Sequence, residues 1–203
     1  HYPSIAPIAL SHTDGNLSTY RYSDRQRVVR HDYRRDKSIY PQYFDLQSRA
    51  WVNGAGELAW QPYGLARLSP YPGAVNIVLL VEGQKCVEIA HSRHIPAVCL
   101  EAGDYSYGTI EVKLEQIERK LKPMLLAILP DNDTAGYIRA TEIDRIAKRI
   151  GLPTLMLAPL RIEPQLKLKG DIEQMPNLND RTLIQIVKDN LKENKTWKIQ
   201  PKI

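Results

Sequence analysis

The pattern of apolar and polar positions changes near residue 75, from a strand-like pattern to an alternation of strands and helices. Between residues 20 and 68, aromatic and β-branched residues are typical of antiparallel strands, and Ser23–Gln26 is a hairpin-turn signal. From residue 76 onwards, short apolar runs alternate with segments whose apolar residues recur at helical spacing. The pattern predicts a small, mostly antiparallel β-rich unit followed by an α/β unit with a mostly parallel sheet.

Short apolar runs predict the strands of the parallel sheet, because a strand that is buried on both faces is apolar throughout. These runs are 76–81, 97–100, 124–129 and 154–157. Apolar residues at helical spacing predict helices over about 84–93, 110–121 and 134–150, and a last helix from about residue 180. The apolar stripe of the third helix comprises Ile138, Ile143, Ile146, Ala147 and Ile150.

Acidic residues follow the predicted strands. Glu82 comes directly after the first run, and Asp131 and Asp133 come after the third. Asp171 follows Leu166–Gly170, which we interpret as a further strand. Because the carboxyl ends of parallel strands meet at one edge of a sheet, we expect these side chains to converge. Carboxylate oxygens are the ligands that Mg²⁺ or Mn²⁺ prefers, so this edge is a candidate metal site.

Each of these acids also has a structural interpretation, which the sequence leaves open. Asp133 or Thr134 can cap the helix that follows, and capping does not exclude metal binding by the same carboxylate. Glu82 can equally be a surface acid, and Asp171 a polar loop residue. Such a cluster of like charges is costly without a cation, because neighbouring carboxylates repel each other.

Composition and charge describe an ordinary globular chain with a basic excess. Of the 203 residues, 43% are hydrophobic and 25% are charged, and the net charge is +5. The basic excess lies towards both ends, which suits phosphate-binding surfaces around a metal site but also serves solubility. No apolar run approaches the roughly 20 residues that a membrane span needs, so no membrane partner is expected.

Proline- and glycine-rich segments divide the chain. Residues 1–19 are predicted to be an irregular arm, and residues 69–75 are the predicted domain boundary. We therefore predict a basic N-terminal subdomain over 1–72, an α/β domain over 73–160, and a C-terminal extension over 161–203 that carries Asp171 and a helix. Since the chain begins with His1, we expect it to be a piece of a longer protein.

Basic and aromatic residues are interleaved in the N-terminal unit. Such a surface binds single-stranded DNA, because basic side chains neutralise phosphates and aromatic faces stack unpaired bases. The alternative is that the aromatic rings form a small core and the basic side chains are only solvated. The candidate DNA-binding residues are Arg27, Arg30, Arg34, Arg35, Lys37, Tyr40 and Trp51.

The cysteines and histidines do not indicate a metal or redox centre. Cys86 and Cys99 lie in apolar context and form no C-x-x-C pair, so we interpret both as core residues in a reducing, intracellular setting. His91 and His94 have too few neighbouring ligands for a zinc site.

Three short motifs resemble the TOPRIM domain that bacterial-type primases, topoisomerases and some nucleases share. They are the Glu82–Gly83 pair after an apolar strand, the D-x-D-x-A-G run over 131–136, and the K-G-D at 169–171. The run E-G-Q-K from Glu82 is similar to the E-G-E-K of primases from phages and mobile elements. The basic stretch that ends in Y-G-L-A-R-L, from Tyr63, is similar to the basic subdomain that precedes TOPRIM in those primases, where a Y-G-L-x-x-L element leads into the domain.

The resemblance implies a DNA primase-type catalytic fragment that performs Mg²⁺-dependent nucleotidyl transfer, making RNA primers on single-stranded DNA. It implies metal-binding roles for Asp131, Asp133 and Asp171, and a metal-ligand or general acid/base role for Glu82. Ribonucleoside triphosphates are the expected substrates, a replicative helicase is an expected partner, and the cytoplasm, at the nucleoid, is the expected location. Nucleotide or template contacts are expected from two lysines, Lys85 and Lys169.

Departures from the family pattern keep two alternatives open. Gln84 stands where many relatives have glutamate, and Cys86 stands where some have an acid. Neither a zinc module nor a G-x-x-x-x-G-K-[ST] motif lies within these 203 residues. The alternatives are a TOPRIM nuclease that cleaves phosphodiesters with the same acids, and a non-catalytic DNA-binding module of a helicase-primase.

Overall fold

The computed structural model describes residues 17–32, 37–69, 76–100 and 107–193, which form two four-stranded sheets. The first sheet is antiparallel and in chain order: β1 (Leu17–Ser23), β2 (Gln26–Asp32), β3 (Lys37–Asp45) and β4 (Ala50–Asn53). The second is parallel, with the order β6-β5-β7-β8. Its strands are β5 (Ile77–Leu80), β6 (Ala97–Val98), β7 (Leu125–Ile128) and β8 (Thr154–Met156).

Helices connect and follow the strands of the parallel sheet, which confirms the predicted α/β class with a β-rich unit in front. They are α1 (Gln84–Ser92), α2 (Tyr107–Leu121), α3 (Thr134–Arg149), α4 (Pro159–Ile162) and α5 (Asp180–Glu193). Short 3-10 turns lie at Leu65–Arg67 and Ile172–Gln174. None of the helices in the described part of the chain is long and apolar enough to span a membrane.

The parallel sheet is buried on both faces, as the continuous apolar runs predict. Along β5, Val78 and Leu80 point into a cluster with α2 and α3, while Ile77 and Leu79 point into a second cluster on the other face. The second cluster contains α1 and α5 as well as side chains from the antiparallel sheet. The parallel sheet is therefore the middle layer of the fold. Its faces are covered, and Glu82 and Asp131 follow its strands at the carboxyl edge.

One hydrophobic cluster draws on all three predicted sequence units. Tyr20 and Val28 come from the antiparallel sheet, Leu79 from the parallel sheet, and Leu183 and Val187 from α5. The proposed division at residues 72 and 160 remains a prediction, and in the described residues the units pack against one shared core.

The segment after the antiparallel sheet is anchored to the edge of the parallel sheet. Tyr63 and Cys99 exchange two main-chain hydrogen bonds of 2.9 and 3.2 Å, which extends the sheet beside β6. The Tyr63 hydroxyl donates to Glu88 on α1, and Arg67 forms a two-pronged ion pair with the same carboxylate while lying over the Tyr63 ring. This partly buried polar junction fixes the N-terminal unit against α1.

The prediction of a strand before Asp171 is wrong. Residues Leu166–Gly170 form a turn, in which the Gly170 amide donates to the Lys167 carbonyl at 2.9 Å. Lys169 has a φ of 62°, a left-handed conformation that breaks an extended strand. The alternation of leucine and lysine suggested a strand, but local hydrogen bonds satisfy this backbone instead.

The predicted apolar stripe of α3 is wrong at Ile138, whose side chain is 66% exposed. The buried face of α3 runs through Gly136, Ala140, Ile143 and Ala147, at helical spacing. Ile138 lies two positions from both Gly136 and Ala140, which places it about 200° around the helix from that face.

Candidate active site

Glu82 and Asp131 lie at the carboxyl edge of two neighbouring strands. β5 and β7 pair in parallel, with Leu80 opposite Ile128, so the residues that follow both strands leave the sheet side by side. One carboxylate oxygen of Glu82, Oε1, accepts a hydrogen bond from the Asp131 amide at 3.3 Å. The other, Oε2, accepts from Arg139 Nη1 on α3, also at 3.3 Å. Two elements therefore orient the Glu82 side chain.

Gly136, in the first turn of α3, permits this close approach. A Cβ atom at this position would lie 2.5 Å from Glu82 Oε1 and 2.8 Å from the Asp131 carbonyl oxygen. The glycine of the D-x-D-x-A-G run is thus required by packing at the site, since it lets the helix start directly beside the two acids.

Asp131, Asp171 and Cys86 form the group of potential metal ligands found among the described residues. One ligand atom from each lies within 4.8 Å of the others. The Cys86 thiol, on the first turn of α1, donates to Asp171 Oδ2 at 3.5 Å. Burial, together with the nearby carboxylates of Asp171 and Asp131, raises the pKa of the Cys86 thiol above its usual range. The thiol is therefore neutral, and the charges of this group come from the two aspartates.

The donor chemistry fits a divalent cation bound through oxygen. Two half-buried carboxylates at one edge of the sheet provide the hard ligands that Mg²⁺ and Mn²⁺ prefer. A neutral thiol is a poor ligand for Mg²⁺, so Cys86 serves as a wall of the group and a hydrogen-bond donor to Asp171. Asp131 and Asp171 are the residues of this group that could hold the ion.

Asp133 caps α3. Its carboxylate accepts a hydrogen bond from the Gly136 amide at 2.8 Å, which satisfies one of the free N–H groups at the start of the helix. Glu82 and Asp133 flank Asp131 in the structure but are not members of the group of three. Their metal-binding and catalytic roles remain predictions.

The loop before Asp171 is attached to the loop between Asp131 and Asp133. The Asn132 amide donates to the Gly170 carbonyl at 3.0 Å, and the Lys169 amide donates to the Asn132 carbonyl at 3.0 Å.

Asp171 then caps a 3-10 turn by accepting from the Glu173 amide at 2.7 Å. On the far side, Arg93 donates to the carbonyls of Ile172 and Met175 at 2.9 and 2.8 Å.

The two candidate nucleotide-binding lysines have different surroundings. Lys85 forms an ion pair with Glu173 at 2.5 Å, which links the start of α1 to the turn after Asp171. Lys169 is exposed on the loop. Gln84 is buried and donates to the Tyr22 hydroxyl at 2.9 Å, so it has a structural role.

A small cleft of about 20 Å³ opens beside Glu82 and Arg139. Its walls are mainly apolar, formed by the ends of the parallel strands and by α3, and include Leu100, Pro130 and Ile143. The cleft lies directly at the acidic edge.

The antiparallel sheet separates the candidate DNA-binding residues onto its two faces, because directly opposed residues share a face. Arg27 of β2 lies opposite Gln42 of β3. Trp51 of β4 lies opposite Phe44, which is two positions after Gln42 on β3 and therefore on the same face. Tyr40 is on that face as well. The Arg27 guanidinium lies 4.1 Å from the centre of the Trp51 ring and its Nε donates to Gln42 at 2.8 Å.

The remaining candidates lie elsewhere. Arg30 and Lys37 are on the opposite face of the sheet, and Arg30 is paired with Asp32 at 2.8 Å. Arg34 and Arg35 lie outside the described residues. The structure therefore brings together Arg27, Tyr40 and Trp51.

Three residues at this edge were not assigned to the site from the sequence: Cys86, Asn132 and Arg139. Cys86 was interpreted as core, which its 6% exposure supports, yet it borders the two aspartates. Its position four residues after Glu82, in the first turn of the next helix, was the available signal. Arg139 lies one and a half turns into α3, and no local motif marks it.

Comparisons with known proteins give little further information. No protein-family model matches the chain, and no curated protein matches it significantly. A similar solved structure is a DNA primase domain from Pseudomonas aeruginosa, with a TM-score of 0.41 and 20% sequence identity. The similarity covers 67% of this chain and 47% of that chain, so this chain spans about half of its length. It is too weak to show a family, and the TOPRIM resemblance remains a prediction.

Proposed function

We propose that this chain is a primase-type nucleotidyltransferase fragment that joins ribonucleotides on a single-stranded DNA template with the help of Mg²⁺ or Mn²⁺. The observation that carries the proposal is the meeting of Glu82, Asp131 and Asp171 at the carboxyl edge of the parallel sheet. An arginine and aromatic face on the preceding sheet supports a nucleic-acid partner.

Each acid has a role in this proposal. Asp131, Asp133 and Asp171 would hold the divalent ion, which would neutralise the phosphate charge that develops during transfer. Glu82, oriented by the Asp131 amide and by Arg139, accepts the proton of the attacking hydroxyl or completes the metal site. Lys85 and Lys169 contact nucleotide or template phosphates, for which Lys85 must exchange its partner Glu173.

The test is template-dependent synthesis of short RNA by the purified chain with Mg²⁺ or Mn²⁺. We expect synthesis to require both single-stranded DNA and the divalent ion. It should fall at least a hundredfold in Asp131→Asn. The matched control is Asp189→Asn, which removes an exposed carboxylate on α5. Activity that survives Asp131→Asn combined with Asp133→Asn would contradict the proposal.

The same assay separates the alternatives. Metal-dependent nicking of DNA without added nucleotides would indicate a nuclease that uses the same acids. Retained single-strand binding with no Mn²⁺ binding would indicate a non-catalytic DNA-binding module. A helicase partner remains an expectation from the resemblance, to be tested with the full-length protein.

A further inference from the structure

We infer that Asn132 is a positioning residue, whose side chain holds the loop Leu166–Gly170 so that Asp171 lies beside Asp131. The inference rests on the proposed function in one respect, namely that these two aspartates bind the divalent ion. It concerns a residue that has no predicted role at the site and that separates Asp131 from Asp133 in the chain.

The side chain of Asn132 makes contacts that few residues could replace. Its Nδ2 donates to two successive loop carbonyls, those of Leu166 at 3.3 Å and Lys167 at 3.1 Å. An amide nitrogen carries two hydrogens and can satisfy both acceptors. An aspartate at this position would face two carbonyl oxygens with a carboxylate, and an alanine would leave both without this donor.

Main-chain hydrogen bonds extend the same attachment to the residue before Asp171. The Asn132 amide donates to Gly170, and the Asn132 carbonyl accepts from Lys169. Gly170 is closely packed, since a Cβ there would lie 2.6 Å from Leu166 Cδ1 and 2.7 Å from Gln174 Oε1. The turn therefore passes directly over Asn132 and delivers the next residue, Asp171, to the site.

The attachment has an electrostatic purpose. Asp131 and Asp171 carry like charges with oxygen atoms within 4.8 Å, so the free loop would move Asp171 away from Asp131. In the described residues the loop is not a strand of the parallel sheet, so no hydrogen-bond ladder holds it in place. The two side-chain bonds from Asn132 add to the main-chain bonds, which any residue at this position would keep, and oppose this repulsion before any ion binds, which preorganises the ligand pair.

The first test measures Mn²⁺ affinity by electron paramagnetic resonance in a double-mutant cycle. We expect Asn132→Ala to weaken Mn²⁺ binding by about 10- to 100-fold, the usual effect of losing a residue that orients a ligand. In an Asp171→Asn background, the same substitution should have no further effect, because the ligand that it positions is already lost. Asn132→Ser serves as a second variant if the alanine variant is poorly folded.

The matched control is Asn76→Ala. Asn76 makes the same kind of contact, from its Nδ2 to the Leu121 carbonyl at 2.8 Å, but it lies at the opposite edge of the parallel sheet, before β5. This variant should retain the Mn²⁺ affinity of the parent chain. An unchanged affinity in Asn132→Ala, or an equal loss in the presence and absence of Asp171→Asn, would overturn the inference.

A second readout needs no metal and separates the inference from the proposed function. Cys86 is 6% exposed and its thiol is hydrogen-bonded to Asp171 Oδ2 at 3.5 Å, so we expect release of the loop to expose it. In a Cys99→Ala background, we expect Asn132→Ala to raise the rate of Cys86 labelling by a thiol reagent at least tenfold, and Asn76→Ala to leave it unchanged. An unchanged rate overturns the inference. If the parent chain binds no Mn²⁺, the proposed function fails, and the labelling rate alone decides the role of Asn132.

Discussion

His91 is a histidine held in an unfavourable environment for its charged form. It lies half-buried on α1, with its Nε2 hydrogen-bonded to the Ala97 carbonyl at 2.9 Å and its Nδ1 buried without a partner among the described residues. Burial lowers the pKa of His91, and the nearby Arg67 guanidinium lowers it further. The imidazole is therefore neutral in the folded protein, where it packs against the junction of Tyr63, Arg67 and Glu88.

This environment predicts a loss of stability in mild acid. Below the unfolded-state pKa of about 6.5, the unfolded chain binds a proton at His91 that the folded chain does not. The free energy of unfolding therefore decreases as the pH is lowered, until the folded-state pKa is reached. His91→Gln keeps a donor for Ala97 and removes the titration. Urea unfolding at pH 7, 6 and 5 should show a flatter pH dependence in this variant.

An equal slope in His91→Gln and the parent would mean that other groups cause the acid sensitivity. Glu88 also contributes, at lower pH, because hydrogen bonds from Arg67 and Tyr63 hold its pKa below the usual value in spite of burial. Its stabilisation is present above the unfolded-state pKa and is lost as the pH falls through the folded-state pKa.

The start of α3 is the element on which the site geometry depends most. Asp133 caps the helix, and Gly136 lets it begin against Glu82 and Asp131. Arg139 then reaches Glu82 from the next turn. The first turns of α3 thereby orient the carboxylate of Glu82, which lies more than about 50 residues earlier in the sequence.

Gly136→Ala should damage the site more than the fold. The new methyl group would lie 2.5 Å from Glu82 Oε1, so the glutamate must move and lose its hydrogen bond to Asp131. We expect RNA synthesis to fall at least tenfold, with a loss of stability of about 1–3 kcal/mol from overpacking. Activity is measured as primer yield and stability by urea unfolding.

The matched control is Gly108→Ala in α2. Among the described residues, nothing lies within 4 Å of a Cβ at that position, so the substitution should stabilise the helix by about 0.5–1 kcal/mol and leave synthesis unchanged. Full activity in Gly136→Ala would show that the position of Glu82 against Asp131 does not matter for the reaction.

Elements of the parallel sheet could be predicted from the sequence because their signal is local. A strand that is buried on both faces must be apolar, and an acid directly after it must lie at the carboxyl edge, so Glu82 and Asp131 were placed correctly. The site between elements could not be predicted in the same way. Asp171 is delivered by a turn that long-range bonds from Asn132 hold in place, and the alternating pattern of Leu166–Gly170 does not reveal these bonds.

At the scale of the whole molecule, the antiparallel sheet offers two different surfaces. One face carries Tyr20 and Val28 into the shared core, and the other carries Arg27, Tyr40 and Trp51. The sequence could not assign basic residues to these faces, since a shift of one position in the strand register exchanges them.

This arrangement predicts a division of roles in binding single-stranded DNA. We expect Trp51→Ala to weaken binding by about 1–3 kcal/mol through lost base stacking, with little change in salt dependence. Arg27→Gln should lower the slope of log affinity against log salt by about 0.7, the effect of one phosphate contact. Fluorescence anisotropy with an oligothymidylate at several salt concentrations measures both.

Arg30→Gln is the matched control, because Arg30 lies on the other face and pairs with Asp32. It should leave both the affinity and the salt slope unchanged. An equal effect of Arg30→Gln and Arg27→Gln would mean that DNA does not follow the Trp51 face.

The shared core has a consequence for how the chain acquires its structure during synthesis. Leu183 and Val187 of α5 lie in the same cluster as Tyr20 of β1, so the first and last described elements complete one another. While a ribosome is still adding residues before α5, one face of the parallel sheet lacks its final apolar cover. The nascent chain is therefore exposed to aggregation through this apolar surface until α5 is synthesised. A chain truncated before residue 180 would leave the same surface exposed permanently.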